Sequence, residues 1–405
     1  MTIPSFLHPF APPTKTKADF VSIVRGDGAR VWDSHGKEYI DAMASLWYAN
    51  VGYGRADMAE AIAAATTELG TYQTLTRWSN PYADSLAERI ADLVDHDRAR
   101  VFFCSSGSEA VDSAMKIART GQALDGHPER TVVISRQRGY HGVAYGGTSA
   151  SGLPPNQAGF GPFVGNVVNV DADDLDKMAV AFEEHRGEVA AVITEPVQGV
   201  GGVRPPMDGY LEGLRDLCDK HGAYLIFDEV ITGFGRLGTW FASQHYGVVP
   251  DLRTFAKAVT SGYVPLGGVV IGDHVRAVLE SDETFVLRHG FTYSGHPLAC
   301  AAGLQNLEII EREGLMQRAS GIAQALGEGF APLVESGAVA SMRGVGGMWA
   351  LELHEEGQEG PVVAAMLEEG VIARSLPSTV TFCPPLVITD AELERVVEVT
   401  ARAVS

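Results

Sequence analysis

The sequence predicts an α/β fold with a mostly parallel sheet, joined to a smaller α+β domain assembled from both termini. Three observations predict it. From about residue 55, short β-rich runs alternate with helical stretches. Those runs are continuously apolar rather than alternating, as in strands covered on both faces. After about residue 297 the texture changes to a long helical stretch followed by mixed helix and strand.

Taken in order, residues 1–20 are proline-rich and read as an arm. Val21 to Trp32 is two short apolar runs around Gly26-Asp27-Gly28, a hairpin signature. Helical periodicity follows at Met58 to Leu69 and Tyr82 to Val94. The β-rich runs are Arg100 to Cys104, Thr131 to Ser135, Val189 to Thr194, Ala223 to Phe227 and Leu266 to Ile271. Pro297 to Arg312 then opens the C-terminal part. The expected division is an N-terminal arm with part of the small domain (1–54), a large domain (55–296) and a C-terminal small domain (297–405).

The chain has 405 residues, 45% hydrophobic and 20% charged, an ordinary globular composition with ample length for a large core. Its net charge of −20 argues against a nucleic-acid interface, which needs a basic face. Neither a basic signal-peptide start nor a bilayer-length apolar run is seen, so a soluble, cytoplasmic protein without membrane partners is expected. The four cysteines, Cys104, Cys218, Cys300 and Cys383, lie far apart. They suggest neither a disulfide framework nor a metal centre.

Several segments carry chemistry. Lys257 stands between an apolar run and a glycine-rich turn, where desolvation can make its amine nucleophilic and suited to a Schiff base with an aldehyde cofactor. On that segment alone, a solvated surface lysine is the commoner reading. Val101 to Ala110 runs from a strand into a small-residue turn and a helix with an apolar face at Val111, Ala114, Met115 and Ala118. Unpaired N–H groups at such a helix start favour an anion, with Gly107 allowing close approach and Ser106 and Ser108 adding hydroxyls. A simple capped turn is the equal alternative. Asp228-Glu229 follows an apolar strand, where open α/β sheets place ligands, and Asp228 could pair with a protonated ring nitrogen. A metal site or a plain strand end are the other readings. Tyr140, followed by His141 in a glycine-flanked turn, offers a face for a planar ligand or an ordinary core aromatic. Glu195 ends another strand, and Thr292 sits in a glycine-bounded loop. An anion-binding helix start, an aromatic face, an acid and a lysine together match pyridoxal 5'-phosphate.

With these motifs in place, the chain resembles the class III (ω-amino acid and amine) aminotransferases, fold-type I enzymes that use pyridoxal phosphate. The resemblance runs from Leu7-His-Pro-Phe10, through Leu46-Trp-Tyr-Ala-Asn-Val-Gly-Tyr-Gly-Arg55, to Cys383-Pro-Pro-Leu-Val-Ile-Thr389, nearly the whole length. It implies a seven-stranded sheet in the large domain. Lys257 would anchor the cofactor and shuttle protons, with Asp228 on the pyridine nitrogen. Tyr140 and Val230 would lie on opposite ring faces. Gly107 and Ser108 would hold the phosphate, joined by Thr292 of a partner subunit, with Glu195 and His141 supporting the site. The implied assembly is a homodimer with shared active sites, or a tetramer. The implied reaction moves an amino group from a primary amine or ω-amino acid to pyruvate or another 2-oxo acid by ping-pong kinetics.

Two departures narrow the branch. Ile231-Thr232-Gly233 stands where the ornithine and 4-aminobutyrate branches carry Gln-Thr-Gly, and Val200 where the ornithine-like branch has a glutamate. Arg374 matches the mobile arginine of amine–pyruvate enzymes, whose guanidinium can fork onto a carboxylate. Trp47 matches an aromatic pocket wall, and Phe10 and Leu75 fall where that branch places further substrate contacts. The alternatives are another reaction on the same cofactor (aminomutase, racemase or decarboxylase) or a silent relative that only binds.

Overall fold

The computed structural model describes residues 3–405. The hairpin forms as β1 (Ile23–Asp27) and β2 (Arg30–Asp33), extended by β3 (Glu38–Asp41), all antiparallel. The central sheet is built from β4 (Arg100–Cys104), β5 (Val132–Arg136), β6 (Val167–Val170), β7 (Val189–Thr194), β8 (Tyr224–Asp228), β9 (Leu252–Phe255) and β10 (Gly267–Ile271). Its order is β4-β10-β9-β8-β7-β5-β6. Only β10 runs against its neighbours, antiparallel to both β4 and β9. The other pairings are parallel, so the sheet is mostly parallel and seven-stranded as expected.

Two of these strands, β6 and β9, are not among the five runs read from the residues. In β9 a buried arginine, Arg253, interrupts the apolar pattern, and in β6 Asn169 does. Arg253 is tolerated because its Nε donates to Ser243 Oγ at 3.0 Å and lies 3.8 Å from the buried Glu229 carboxylate. Strands β5, β7, β8, β9 and β10 are buried along their whole length, because helices cover both faces. The Gly107–Leu124 helix packs one way, against β7, β9 and β10, and buries Val111, Ala114, Met115 and Ala118, the stripe its spacing predicts.

The Pro297–Arg312 helix packs on the Ala56–Leu69 and Pro81–Ala91 helices. The second of these is capped by Asn80, whose side chain accepts from the Ala83 N–H, with Pro81 at its first position. The C-terminal part contributes β11 (Ser341–Val345), β12 (Met348–Glu352), β13 (Val371–Ile372), β14 (Arg374–Leu376) and β15 (Thr379–Phe382). Four of them form an antiparallel sheet in the order β11-β12-β15-β14. Strand β13 instead pairs parallel with β3, placing Ile372 opposite Asp41. Both ends of the chain thus share one sheet.

Candidate active site

Strand β4 is antiparallel to β10, and β10 to β9, so β4 runs with the parallel strands. The carboxyl ends of β4, β5, β7, β8 and β9 therefore share one edge, where α/β sheets bind ligands. Residues leaving that edge close around a cavity of about 400 Å³. Nine of the residues singled out in the sequence line it: Ser106, Gly107, Ser108, Tyr140, His141, Glu195, Asp228, Val230 and Lys257.

Lys257 follows β9 in a short 3-10 turn with φ of +49°, a conformation that strains a non-glycine residue by roughly 1–3 kcal/mol. Among the described residues its ammonium has no hydrogen bond and no ion pair. Burial pushes its pKa down, opposed by Asp228 and Glu195, while Arg374 pushes in the same direction as burial. The amine is thus held in its nucleophilic form more readily than a surface lysine.

Asp228, at the end of β8, is buried and fully engaged. Its Oδ1 accepts from Thr254 Oγ1 at 2.9 Å and the Val230 N–H at 3.2 Å, and its Oδ2 lies 2.8 Å from His141 Nδ1. Among the described residues His141 Nε2 is buried without a hydrogen-bond partner. Glu195 accepts the N–H groups of Tyr140 and Gly199, each at 2.9 Å. Burial pushes the Glu195 carboxyl up, and His141 opposes that shift. From behind, Arg136 donates to the Glu195 carbonyl at 2.6 Å and pairs with Asp173 at 2.9 Å, which fixes the end of β7.

At the start of the Gly107–Leu124 helix the hydroxyls are oriented for an anion. Ser106 Oγ accepts from the Glu109 N–H at 3.2 Å, and Ser108 Oγ accepts from the Val143 N–H at 3.0 Å. Each keeps its own O–H free to donate outward. A Cβ on Gly107 would stand 3.0 Å from Val230 Cγ1, so only glycine leaves this cradle open. At Gly142, φ is +93° and a Cβ would lie 2.5 Å from Ser108 Oγ. Gly142→Ala should therefore displace Ser108 and weaken cofactor retention by roughly ten- to a hundredfold, the worth of one or two charge-assisted hydrogen bonds. Spectrophotometric titration of the apoprotein with pyridoxal phosphate checks this, and unchanged affinity would refute the cradle.

These features fit pyridoxal phosphate: a helix start with serine hydroxyls, Tyr140 and Val230 lining the same cavity, a buried carboxylate and a lysine with no ion pair among the described residues. Asp228 would take the ring nitrogen, Lys257 the aldehyde carbon, and the helix start the phosphate.

The substrate residues are placed differently. Arg374 lies on β14, half-buried and off the cavity wall, yet its charge acts on both Tyr140 and Lys257. Trp47, expected as a pocket wall, is only 2% exposed and packs in a cluster with Met43, Val197 and Ile231. Its neighbours Leu46 and Tyr48 line the cavity instead. The cause is a reversal of the backbone at Ala44, Ser45 and Trp47, all with positive φ, which no residue pattern signals. Phe10 (82% exposed), Leu75 (45% exposed) and the exposed Thr292 do not line the cavity. Leu75 and Thr292 lie in neighbouring segments, joined where Thr74 Oγ1 donates to the Ser294 carbonyl at 2.7 Å. Residues that sequence reasoning missed include Thr254, Gly142, Leu46 and Tyr48. Gly142 had a signal, as one glycine of the flanked turn. Thr254 had none, because its role depends on β9 lying beside β8.

Comparison with known proteins agrees with this geometry. The family model described as "Aminotransferase class-III" matches residues 12–404. The chain is 39% identical to the diaminobutyrate–2-oxoglutarate transaminase of Halomonas elongata, covering 95% of this chain and 90% of that protein. It is 37% identical to the putrescine–pyruvate aminotransferase of Pseudomonas aeruginosa, covering 93% and 88%. An amine transaminase from an uncultivated Pseudomonas species, solved with pyridoxal phosphate bound, superposes with a TM-score of 0.94 at 35% identity over 99% of this chain and 98% of that one. With a matching overall fold and a family signature over nearly its full length, the chain belongs to the class III aminotransferases, fold-type I transaminases that depend on pyridoxal phosphate.

Proposed function

We propose that this enzyme moves an amino group from a primary amine or ω-amino acid to pyruvate or another 2-oxo acid in a ping-pong sequence. The observation that carries the acceptor assignment is Arg374. Its guanidinium makes no ion pair among the described residues, burial lowers its pKa, and it sits within electrostatic reach of Lys257. A half-buried cation without a counter-ion is suited to a carboxylate ligand. The Pseudomonas aeruginosa relative is named for pyruvate and the Halomonas relative for 2-oxoglutarate, so both acceptors belong in the test.

When bound, the cofactor supplies an aldehyde for covalent capture of amines and a ring that accepts electrons. The protein does the rest. Lys257 provides the covalent anchor and, once freed, the base that carries a proton away from the donor's amine-bearing carbon. Asp228 keeps a proton on the ring nitrogen, and its orientation is held by Thr254 and His141. Tyr140 and Val230 would bound the ring's two faces. Glu195 holds the Tyr140 turn through the backbone. Ser106, Gly107 and Ser108 orient the phosphate, and the low-dielectric cavity strengthens each charged contact.

The protein is read as a homodimer. Thr292, Leu75 and the neighbouring Trp78 and Tyr293 are exposed together, which suits a face that meets a second protomer and brings Thr292 to its phosphate site. Phe10 and Leu75 would contact substrate only there. The N-terminal 1–54 segment and the part beyond 297 are read as one small unit, with the Pro297–Arg312 helix linking it to the large body. Among the described residues no helix is long and apolar enough to cross a membrane.

Screening amines against pyruvate and 2-oxoglutarate tests the reading. Parallel double-reciprocal lines and accumulation of pyridoxamine phosphate with donor alone are expected, and a product without net amino transfer would overturn it. Arg374→Ala should raise KM for the 2-oxo acid by roughly ten- to a hundredfold, the worth of a charge-assisted fork. The donor half-reaction, followed by stopped-flow absorbance, should change far less. Equal losses in both half-reactions would refute the acceptor role.

A further inference from the structure

The turn Ala44–Tyr48 forms one wall of the cavity, and its construction is unusual. Ala44, Ser45 and Trp47 have φ of +46°, +58° and +66°, left-handed values at three non-glycine residues within four positions. Such a backbone persists only where its surroundings over-determine it. Here the buried carboxylate of Asp41 does so. Its Oδ1 accepts from the Met43 N–H at 2.8 Å, and its Oδ2 accepts from the Ser45 N–H at 2.5 Å and from the Tyr53 hydroxyl. Ser45 in turn donates from Oγ to the Tyr48 hydroxyl at 2.6 Å. The Tyr48 ring is backed by Gly262, where a Cβ would lie 2.4 Å from the ring carbons. Gly262 is five residues beyond Lys257, and both line the same cavity as Tyr48.

We propose that Tyr48 is a specificity-determining residue that limits the size of the amine's substituent, and that Asp41 is a positioning residue acting through it. This rests on reading the cavity as the amine site. The ring cannot retreat toward Gly262 without a clash of its own, and it cannot swing outward without breaking the Ser45 tether. It therefore acts as a fixed wall rather than an adaptable one. Asp41 serves both sides of the small unit's contact with the site. It anchors the turn, and through β3 it pairs with Ile372, two residues before Arg374.

The test is a selectivity ratio: kcat/KM for 1-phenylbutylamine over that for sec-butylamine, with pyruvate as acceptor and the holoenzyme as catalyst. Tyr48→Ala should raise the ratio by about tenfold or more, the discrimination that a few methylene groups provide in an apolar pocket. Asp41→Asn, which turns an N–H₂ toward groups that must donate, should move the ratio in the same direction. In the Tyr48→Ala background, Asp41→Asn should add nothing further to it, because both changes remove one wall. Should Asp41→Asn not fold, Ser45→Ala replaces it, with the same non-additivity expected. A ratio within about twofold of the parent in Tyr48→Ala overturns the specificity role. Additive effects in the double variant overturn the positioning role. A parent protein that transaminates neither amine refutes the reading of the site itself, a separate outcome.

Discussion

Lys257→Ala is expected to lower transamination by at least about 10,000-fold, since it removes both the covalent anchor and the proton carrier. The fold should survive. The Lys257 ammonium makes no hydrogen bond or ion pair among the described residues, so its loss strands no partner. Removing a buried amine also removes a desolvation cost. The variant should still bind pyridoxal phosphate through Ser106, Gly107, Ser108 and Asp228, but without a borohydride-trappable link to the chain. Mass spectrometry after reduction measures that link, and steady-state rates with pyruvate measure the activity. Robust turnover by the variant would overturn the assignment of Lys257.

Asp228→Asn is expected to lower kcat by about 100- to 1,000-fold, the usual cost of removing one preorganised electrostatic partner from a dry site. The substitution is nearly isosteric. The introduced amide would keep the Thr254 and Val230 bonds through its carbonyl oxygen, and its N–H₂ would donate to neutral His141 Nδ1. Stability should therefore change little, while the negative charge that holds a proton on the ring nitrogen is lost. A thermal midpoint close to the parent's with a collapsed kcat is the expected pattern. A kcat within about tenfold of the parent would show that Asp228 does not carry this role.

The residues expected from the sequence to hold the cofactor, Thr292 excepted, line one cavity. Asp228 and Tyr140 follow β-rich runs, Gly107 and Ser108 open a helix, and Lys257 precedes a glycine-rich turn; they fall together because the ends of parallel strands share one edge. The substrate residues were less legible. Trp47 turned inward and Leu46 and Tyr48 took its place, because three left-handed backbone positions reverse the chain there. Phe10, Leu75 and Thr292 lie on the surface, away from the cavity their residue types suggested. Strands β6 and β9 escaped the apolar-run reading because Asn169 and Arg253 interrupt them, and the latter's buried partner, Glu229, lies elsewhere in the sequence.

By itself the sequence determined the α/β class, five of the seven strands of the central sheet, and a set of residue types suited to pyridoxal phosphate. These depend on local periodicity and on short segments whose chemistry is self-contained. Only the tertiary structure decided which side chains line the cavity. That choice depends on the buried carboxylate of Asp41, on the pairing of β3 with β13, and on the fit of Tyr48 against Gly262. Each joins parts of the chain far apart or in unusual backbone states, where contact rather than pattern sets the outcome.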